Sequence, residues 1–160
     1  MPVPSIKYQN RIVDSTCCTF KAGSFSLNGV QKMAHSCSVS RSPVKKAGSV
    51  GVSGYSRGTL EYDGSISLLK ADASDFEAWL ETQRTDKTLQ GGVWDVSFAL
   101  SVLIRTPAFV EVATLFNCKI SPSSFDMGGP DGGDAIATDY QLIMTNRQIN
   151  GLFDWYEGGT

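Results

Sequence analysis

Long apolar runs are missing from this sequence. Nowhere do roughly 18 apolar residues stand together, which is about the length that a membrane-spanning helix needs. The first four residues, Met-Pro-Val-Pro, are not followed by the apolar core of a signal peptide. We therefore expect a soluble protein of the cytoplasm with no membrane partner.

An excess of positive charge is also missing. The chain has 14 basic and 16 acidic side chains, which gives a formal net charge of −2. Stable binding to nucleic acid normally needs a basic surface that neutralises phosphates, so this class of function is excluded. With 160 residues, 41% of them apolar, the chain is expected to form one domain, residues 1–160.

Cysteine and histidine are scarce. The four cysteines, Cys17, Cys18, Cys37 and Cys118, include no C-x-x-C pair, and adjacent Cα atoms lie about 3.8 Å apart, closer than disulfides usually allow. We expect buried thiols, with a Cys37 to Cys118 bridge as the alternative. The single histidine, His35, has no second ligand at metal spacing and is interpreted as a polar residue at the end of a hairpin strand.

Two short motifs suggest chemistry that their context does not support. Residues 54–58 read G-x-S-x-G, but the nucleophile elbow of a hydrolase needs a helix after Ser56, and here a strand is expected. Asp131 and Asp134 lie in a glycine-rich segment that lacks the ligand pattern of a calcium loop, so a flexible connection is favoured over an ion site. We therefore predict no enzyme, no catalytic residue, no metal and no cofactor.

Alternation of apolar and polar residues dominates the rest of the chain. Four segments, 59–69, 94–104, 109–120 and 136–145, have the period of two that is typical of half-buried strands. In the third, we expect Val110, Val112, Phe116, Cys118 and Ile120 to be buried. The second and third segments should form a hairpin, and Asn28-Gly29 should turn another between Phe25 and Val39. This pattern predicts a mainly β fold, a sandwich or barrel of about six antiparallel strands.

A single helix interrupts the strands. Between Asp72 and Arg84, the residues Phe76, Trp79 and Leu80 recur at i, i+3 and i+4 and should face the core. Asp72 or Ser74 can cap its start, with Glu77 completing a capping box in the second case.

Residues 41–58 form a basic, glycine-punctuated segment. It carries Arg41, Lys45, Lys46 and Arg57, and its glycines stand at positions 48, 51, 54 and 58. Connections inside compact domains are usually a few residues long, so a loop of this length is expected to reach outward to a partner.

These elements together resemble a phage tail tube protein, most strongly the tubes of contractile-tailed phages. The likeness extends to the superfamily of the ring protein that forms the inner tube of type VI secretion machines. The matching pieces are residues 27–30 (Leu-Asn-Gly-Val), Arg41, residues 45–48 (Lys-Lys-Ala-Gly), 54–55 (Gly-Tyr), 58–61 (Gly-Thr-Leu-Glu) and 75–80 (Asp-Phe-Glu-Ala-Trp-Leu). The remaining half agrees mainly in the order and length of its elements.

The resemblance implies a structural subunit of the virion tail, assembled in the cytoplasm of the bacterial host. Six copies would form a ring that shares a β-barrel around a lumen, and stacked rings would deliver the genome through the tube. The implied partners are other copies, the tape-measure protein, the tail terminator, the baseplate and, if the tail contracts, a sheath. Double-stranded DNA would pass without specific binding.

Two groups of site residues follow from this implied role. The stacking loop would use Arg41, Lys45, Lys46, Tyr55 and Arg57. The lumen wall, which should be neutral or acidic so that a polyanion slides, would use Glu61, Asp63, Glu111, Asp139 and Gln141, with Lys119 as an exception. The alternative is a monomeric or trimeric β-sandwich module for virion decoration or adhesion.

Overall fold

The computed structural model describes residues 5–9, 11–48, 50–56, 58–84, 92–126 and 137–153. These ranges contain thirteen strands, one α-helix and two short 3₁₀ turns, Ser15–Cys17 and Gly92–Asp95. The helix is α1 (Lys70–Gln83), and the strands are β1 (Ser5–Tyr8), β2 (Arg11–Asp14), β3 (Cys18–Ala22), β4 (Phe25–Leu27), β5 (Val30–Ser40), β6 (Pro43–Val44), β7 (Gly54–Tyr55), β8 (Thr59–Leu69), β9 (Phe98–Arg105), β10 (Val110–Asp126), β11 (Ala137–Ile143), β12 (Asn146–Ile149) and β13 (Leu152–Phe153). The prediction of a mainly β fold with one helix is confirmed, but the number of strands was underestimated.

Eleven of these strands belong to one large sheet. Its order is β2-β1-β5-β8-β11-β10-β9-β3-β4, with β12 on β10 and β13 on β12. The pairs are antiparallel except for β1 with β5, which run parallel. Within the described residues the sheet is therefore mixed and is not a closed barrel, which corrects the expectation of a purely antiparallel sandwich or barrel.

Strand β10 divides this sheet into two halves. Its first part pairs with β9 and β12, and its second part pairs with β11. We call β1, β2, β5, β8, β11 and the second part of β10 sheet A, and β3, β4, β9, β12, β13 and the first part of β10 sheet B. Buried side chains such as Met33 and Leu68 from sheet A, and Leu100 and Leu115 from sheet B, form one core between the two.

A bulge in β10 changes which of its side chains are buried. The pairing with β9 shifts between Leu115 and Cys118, where Asn117 has φ +51°. Val110 and Val112, predicted to be buried, are therefore 53% and 45% exposed. The prediction was wrong because a bulge adds one residue to a strand and reverses the phase of its alternation.

Strand β9 begins later than the alternation indicated. The predicted segment starts at Trp94, but residues Gly92–Asp95 form a 3₁₀ turn and the strand starts at Phe98. From there Phe98, Leu100 and Val102 are buried as predicted, and the hairpin with β10 is confirmed.

The hairpin expected at Asn28-Gly29 does not form. Strand β4 pairs with β3 in sheet B, whereas β5 pairs with β8 and β1 in sheet A. Asn28-Gly29 is thus the crossing between the two sheets. Gly29 has φ +65°, and its carbonyl oxygen accepts a hydrogen bond of 3.0 Å from the N–H of Leu69 at the start of α1.

Helix α1 buries the predicted face but lacks the predicted cap. Phe76 and Leu80 are buried, and the half-buried Trp79 stacks on Phe25 with ring centroids 5.5 Å apart. The N-cap position is Leu69, which makes no side-chain capping bond, so neither Asp72 nor Ser74 caps the helix. The Ser74 hydroxyl instead donates to the carbonyl oxygen of Lys70.

We predict that Gly29→Ala destabilises the fold by about 1–3 kcal/mol, measured as the free energy of unfolding in urea. Its positive φ disfavours any residue with a Cβ, and a Cβ here would overlap the carboxylate of Asp72. Gly54→Ala is the matched control, because an added Cβ there meets no atom within 4 Å. Equal unfolding midpoints for the two variants would contradict this account of the crossing.

Candidate assembly surfaces

The described residues between 41 and 58 extend the β5–β8 pair beyond the core. The pairing of β5 with β8 ends at Ser40 opposite Thr59, and β6 then pairs with β7 in a second small sheet. The main chain of Ser42 and Ser56 bridges the two sheets, since Ser56 N–H donates to Ser42 O at 2.8 Å. We call the described residues 41–48, 50–56 and 58 the arm. It is a projecting hairpin and not the loop without structure that the sequence indicated.

The exposed side chains of the arm are apolar as well as basic. Val50 is fully exposed, Tyr55 is 70% exposed, and Val44 and Val52 are each about half exposed. Arg41, Lys45 and Lys46 are exposed too, while Arg57 lies outside the described residues. The sequence has no acidic residue between 41 and 58. Sequence reasoning recognised the cations but missed the valines, because isolated apolar residues in a glycine-rich segment show no periodicity.

The edge of β5 next to the arm is open. Strand β1 covers this edge only as far as Gln9, whose N–H donates to Met33 O at 3.0 Å. The Gln9 side-chain amide extends the ladder by one step, because its Nε2 donates to His35 O at 2.7 Å and its Oε1 accepts from His35 N–H at 2.9 Å. Main-chain groups two residues apart point to the same side of a strand, so those of Cys37 and Val39 point outward here. No described residue pairs with them on that side.

Four of the five residues predicted to line a lumen share one surface. This outer face is the side of sheet A that is turned away from sheet B. Exposed Glu61 and Asp63 lie on β8, and Asp139 and Gln141 lie on the same face of the neighbouring β11, opposite Ser67 and Ser65 of β8. Serines surround them: Ser36 and Ser38 of β5 are paired with Asp63 and Glu61, and the Ser67 hydroxyl donates to the Asp139 carboxylate.

Glu111 lies elsewhere. It belongs to the phase of β10 that points toward the core, with Ala113 and Leu115, and it is half-buried. Its Oε1 accepts a hydrogen bond of 2.8 Å from the hydroxyl of Tyr8. Lys119, the expected exception among the lumen candidates, has its Nζ 3.8 Å from a carboxylate oxygen of Asp95.

A buried chain of hydrogen bonds links the two sheets at Glu111. Arg147 Nη1 lies 3.0 Å from His35 Nδ1, and His35 Nε2 lies 2.6 Å from the Tyr8 hydroxyl, which donates to Glu111. Because a guanidinium can only donate, Nδ1 must accept, and the imidazole proton is therefore on Nε2. The chain connects β12, β5, β1 and β10. His35 is thus a buried residue in the middle of β5 and not, as expected, a polar residue at a strand end.

The electrostatics of this chain favour one arrangement of protons. Burial, and then the hydrogen bond to Glu111, raise the pKa of the Tyr8 hydroxyl well above its ordinary value. Tyr8 therefore stays protonated and remains a donor to Glu111 at all physiological pH values.

All four thiols are free, so the alternative Cys37 to Cys118 bridge is absent. Only Cys118 is buried, and burial raises its pKa to about 12. The expectation of buried thiols is wrong for Cys17, Cys18 and Cys37, which are half-buried. Burial and then the neighbouring Cys17 raise the pKa of Cys18.

The G-x-S-x-G motif at residues 54–58 lies in the arm and not in a nucleophile elbow. Ser56 stands between strands β7 and β8, and its hydroxyl accepts from Ser42 N–H at 3.0 Å. Asp131 and Asp134 lie outside the described residues. In the described part of the chain, no group of three His, Cys, Asp or Glu side chains could hold a metal ion. None of the helical residues that the structure describes forms a span long and apolar enough to cross a membrane.

We predict that Tyr8→Phe lowers the free energy of unfolding by about 1–3 kcal/mol, because the buried His35 Nε2–H and the Glu111 carboxylate both lose a hydrogen-bond partner. Urea denaturation followed by circular dichroism measures the change. Tyr55→Phe removes an exposed hydroxyl from the arm and should shift the value by no more than about 0.5 kcal/mol. A Tyr8→Phe variant as stable as Tyr55→Phe would show that the chain of hydrogen bonds does not hold the sheets together.

Comparison with known proteins gives structural matches only. No protein-family model and no curated protein matches the sequence. A chain of the extended-state sheath–tube complex of the PVC extracellular contractile injection system is similar, with a TM-score of 0.57, 10% identity, and coverage of 88% of this chain and 92% of that one. A chain of the six-fold symmetrised baseplate of the anti-feeding prophage AFP has a TM-score of 0.50, 12% identity, and coverage of 84% and 91%.

Hcp1 from Flavobacterium johnsoniae also matches, with a TM-score of 0.47, 6% identity, and coverage of 86% of this chain and 97% of that one. The two contractile-system chains, at 10% and 12% identity, show the fold alone. The resemblance to contractile-tail tube proteins that the sequence indicated is therefore confirmed at the level of the fold.

Proposed function

We propose that this protein is the structural subunit of a tail tube, in which rings of six copies stack into a hollow conduit for genome delivery. The observation that carries the proposal is the open edge of β5 at Cys37 and Val39, at the base of a projecting arm. The fold shared with a chain of a sheath–tube complex supports it. An unpaired strand edge is a liability in a lone molecule, and a closed ring of copies removes it.

The arm is proposed to stack one ring on the next. Its exposed Val44, Val50, Val52 and Tyr55 would supply apolar area to the contact. Arg41, Lys45, Lys46 and Arg57 would meet acidic groups at the rim of that contact, where charges set register and approach more than affinity.

The outer face of sheet A is proposed to line the lumen. Its serines, Gln141 and the carboxylates of Glu61, Asp63 and Asp139 would make a wall to which a polyanion does not adhere. Glu111 would not belong to this wall, because it faces the core and bonds to Tyr8.

The assembly partners follow from the proposed role. They are other copies of this chain, a tape-measure protein, a tail terminator, a baseplate and a sheath if the tail contracts, with double-stranded DNA in transit. The protein would be assembled in the host bacterial cytoplasm and end in the virion tail.

In negative-stain electron microscopy we expect the purified wild-type protein to form hollow tubes or six-fold rings. The Val39→Pro variant should form small particles and no rings or tubes. Proline removes the outward N–H of Val39, and it leaves the bonds between β5 and β8 in place because those are made by the neighbouring residues. Val39→Thr, which keeps the N–H and the branched shape, should assemble normally. Small particles from the wild type at high concentration would contradict the proposed function and favour the decoration or adhesin module.

Deleting residues 45–53 provides a second control for the same experiment. The open edge of β5 is intact in this variant while most of the arm is gone, so we expect single rings that do not stack. Tubes of normal length would rule out the arm as the stacking element.

Charge reversal on the outer face tests the lumen. Glu61→Lys with Asp63→Lys should give tubes that trap short duplex DNA added during assembly and protect it from nuclease, with retention that falls as salt rises. Wild-type tubes should retain none. Thr19→Lys with Ser101→Lys places two cations on the outer side of sheet B, and DNA bound there should stay open to nuclease. If the DNA bound to the Glu61/Asp63 variant is digested by nuclease, these two residues do not line the lumen.

A further inference from the structure

The dipeptide Asn-Gly occurs twice in this chain, in two different surroundings. Asn28-Gly29 forms the crossing from sheet B to sheet A, and Asn150-Gly151 forms the turn between β12 and β13. Both asparagines are exposed. The proposed tube gives neither dipeptide a chemical role, although each has the sequence at which a protein chain most readily reacts with itself.

The reaction is an attack of the main chain on the asparagine side chain, and asparagine is one of the thermally labile residues for this reason. The nitrogen of the following residue loses its proton to hydroxide and adds to the side-chain carbon Cγ, which closes a five-membered ring. Glycine permits the approach because it has no Cβ. The side chain must also be able to rotate, so hydrogen bonds that hold its amide oppose the reaction.

The side chain of Asn28 is not held in this way. Within the residues that the structure describes, no hydrogen bond is made by the Asn28 side chain or by the N–H of Gly29. Asn28 also lies outside both neighbouring strands, since β4 ends at Leu27 and β5 begins at Val30. The Gly29 nitrogen and the Asn28 amide therefore have no competing partner to lose before they react.

Asn150, in contrast, is tied to β10 by two hydrogen bonds. Its side-chain Oδ1 accepts from the N–H of Val112 at 2.9 Å, and its own N–H donates to the carbonyl oxygen of Val112 at 2.8 Å. These bonds direct the side-chain carbonyl toward β10. The ring can close at Asn150 only after the side-chain bond has broken.

We infer that Asn28 is a site of spontaneous deamidation and that its bonds to Val112 protect Asn150 from the same reaction. At Asn28 the bond from the Gly29 nitrogen to Cγ forms, the bond from Cγ to Nδ2 breaks, and ammonia leaves with a proton from water. Water then opens the ring at one of its two carbonyl carbons, which gives aspartate or isoaspartate. One water is consumed and one ammonia is released, and no group is oxidised or reduced.

The products change the crossing at a crowded point. The carbonyl oxygen of Gly29 accepts from the N–H of Leu69 at 3.0 Å, and the carboxylate of Asp72 lies so close to Gly29 that an added Cβ would overlap it. Aspartate at position 28 places another negative charge next to this site, and isoaspartate also adds one main-chain atom to a crossing of two residues. Both products should weaken the connection of β5 and the start of α1 to β4.

Ageing of the full-length protein followed by peptide mapping tests the inference. The native protein is incubated in a mildly alkaline buffer, and mass spectrometry gives the deamidated fraction at positions 28 and 150 over time. We expect Asn28 to react faster than Asn150 by about tenfold or more, because a hydrogen bond that must first break is worth roughly one power of ten in rate. In concentrated urea the two rates should converge, since both asparagines precede glycine. Equal rates in the native protein, or no reaction at Asn28, would overturn the inference.

The variant Asn28→Gln is the matched control. Glutamine would have to close a six-membered ring, which is much slower, and Asn28 has no positive φ that a glutamine would need to adopt. Aged wild-type protein should yield more acidic forms on anion exchange, with isoaspartate detected by an isoaspartyl methyltransferase, and these forms should unfold at lower urea concentration than the parent. Asn28→Gln should not develop them. The same acidic forms from Asn28→Gln would place the reaction elsewhere, and equal urea midpoints for the acidic and parent forms would refute the effect on the crossing.

This inference does not depend on the proposed ring. Deamidation and unfolding are measured on the protein whether or not it assembles, so failure of the wild type to form tubes would leave the Asn28 site standing. Conversely, tubes from wild type with no deamidation at Asn28 would refute the site and leave the proposed function intact.

Discussion

A peptide group removed from water must find a hydrogen-bond partner. In this chain the main-chain groups of the core strands have such partners, whereas, among the described residues, some at the edge of sheet A do not. In the core, long ladders such as β5 with β8 and β9 with β10 pair nearly every main-chain group. At the edge of β5 beyond Gln9, no residue that the structure describes pairs with the outward main-chain groups of Cys37 and Val39. The feature that distinguishes this molecule is therefore a strand edge with unpaired main-chain N–H and C=O groups. Side chains contribute mainly by ending the strand pairing at a particular residue.

Gln9 and the buried hydrogen-bond chain show how the stopping point is set. Tyr8 is held between His35 and Glu111, which anchors the end of β1 against both sheets. The next residue, Gln9, turns its side-chain amide onto His35 and ends the ladder there. The ladder between β1 and β5 therefore ends beside a polar network, and such a network costs stability when one of its partners is lost.

The sequence predicted the elements whose signal is long and regular. Strands β8, β9 and β11 and the Phe76 face of α1 follow from alternation over many residues. It did not predict β1, β2, β12 and β13, whose few residues cannot establish a period, nor the bulge at Asn117, which reverses the phase of β10. The prediction that the chain turns at Asn28-Gly29 with a positive φ was correct for the backbone, since Gly29 has a positive φ. Its interpretation as a hairpin was wrong because local propensity does not specify the strand that comes next to β4.

The sequence also predicted the candidate surfaces only in part. Glu61, Asp63, Asp139 and Gln141 share a face because each lies on the polar phase of a long strand, whereas Glu111 does not because its phase depends on the bulge. The cations of the arm are visible in composition, but its valines contribute more to any contact: a fully buried apolar side chain is worth roughly 1.5–3 kcal/mol, against about 0–1 kcal/mol for a surface ion pair. An assembly built this way should associate strongly even in high salt, with the lysines affecting the rate and register of docking more than its strength.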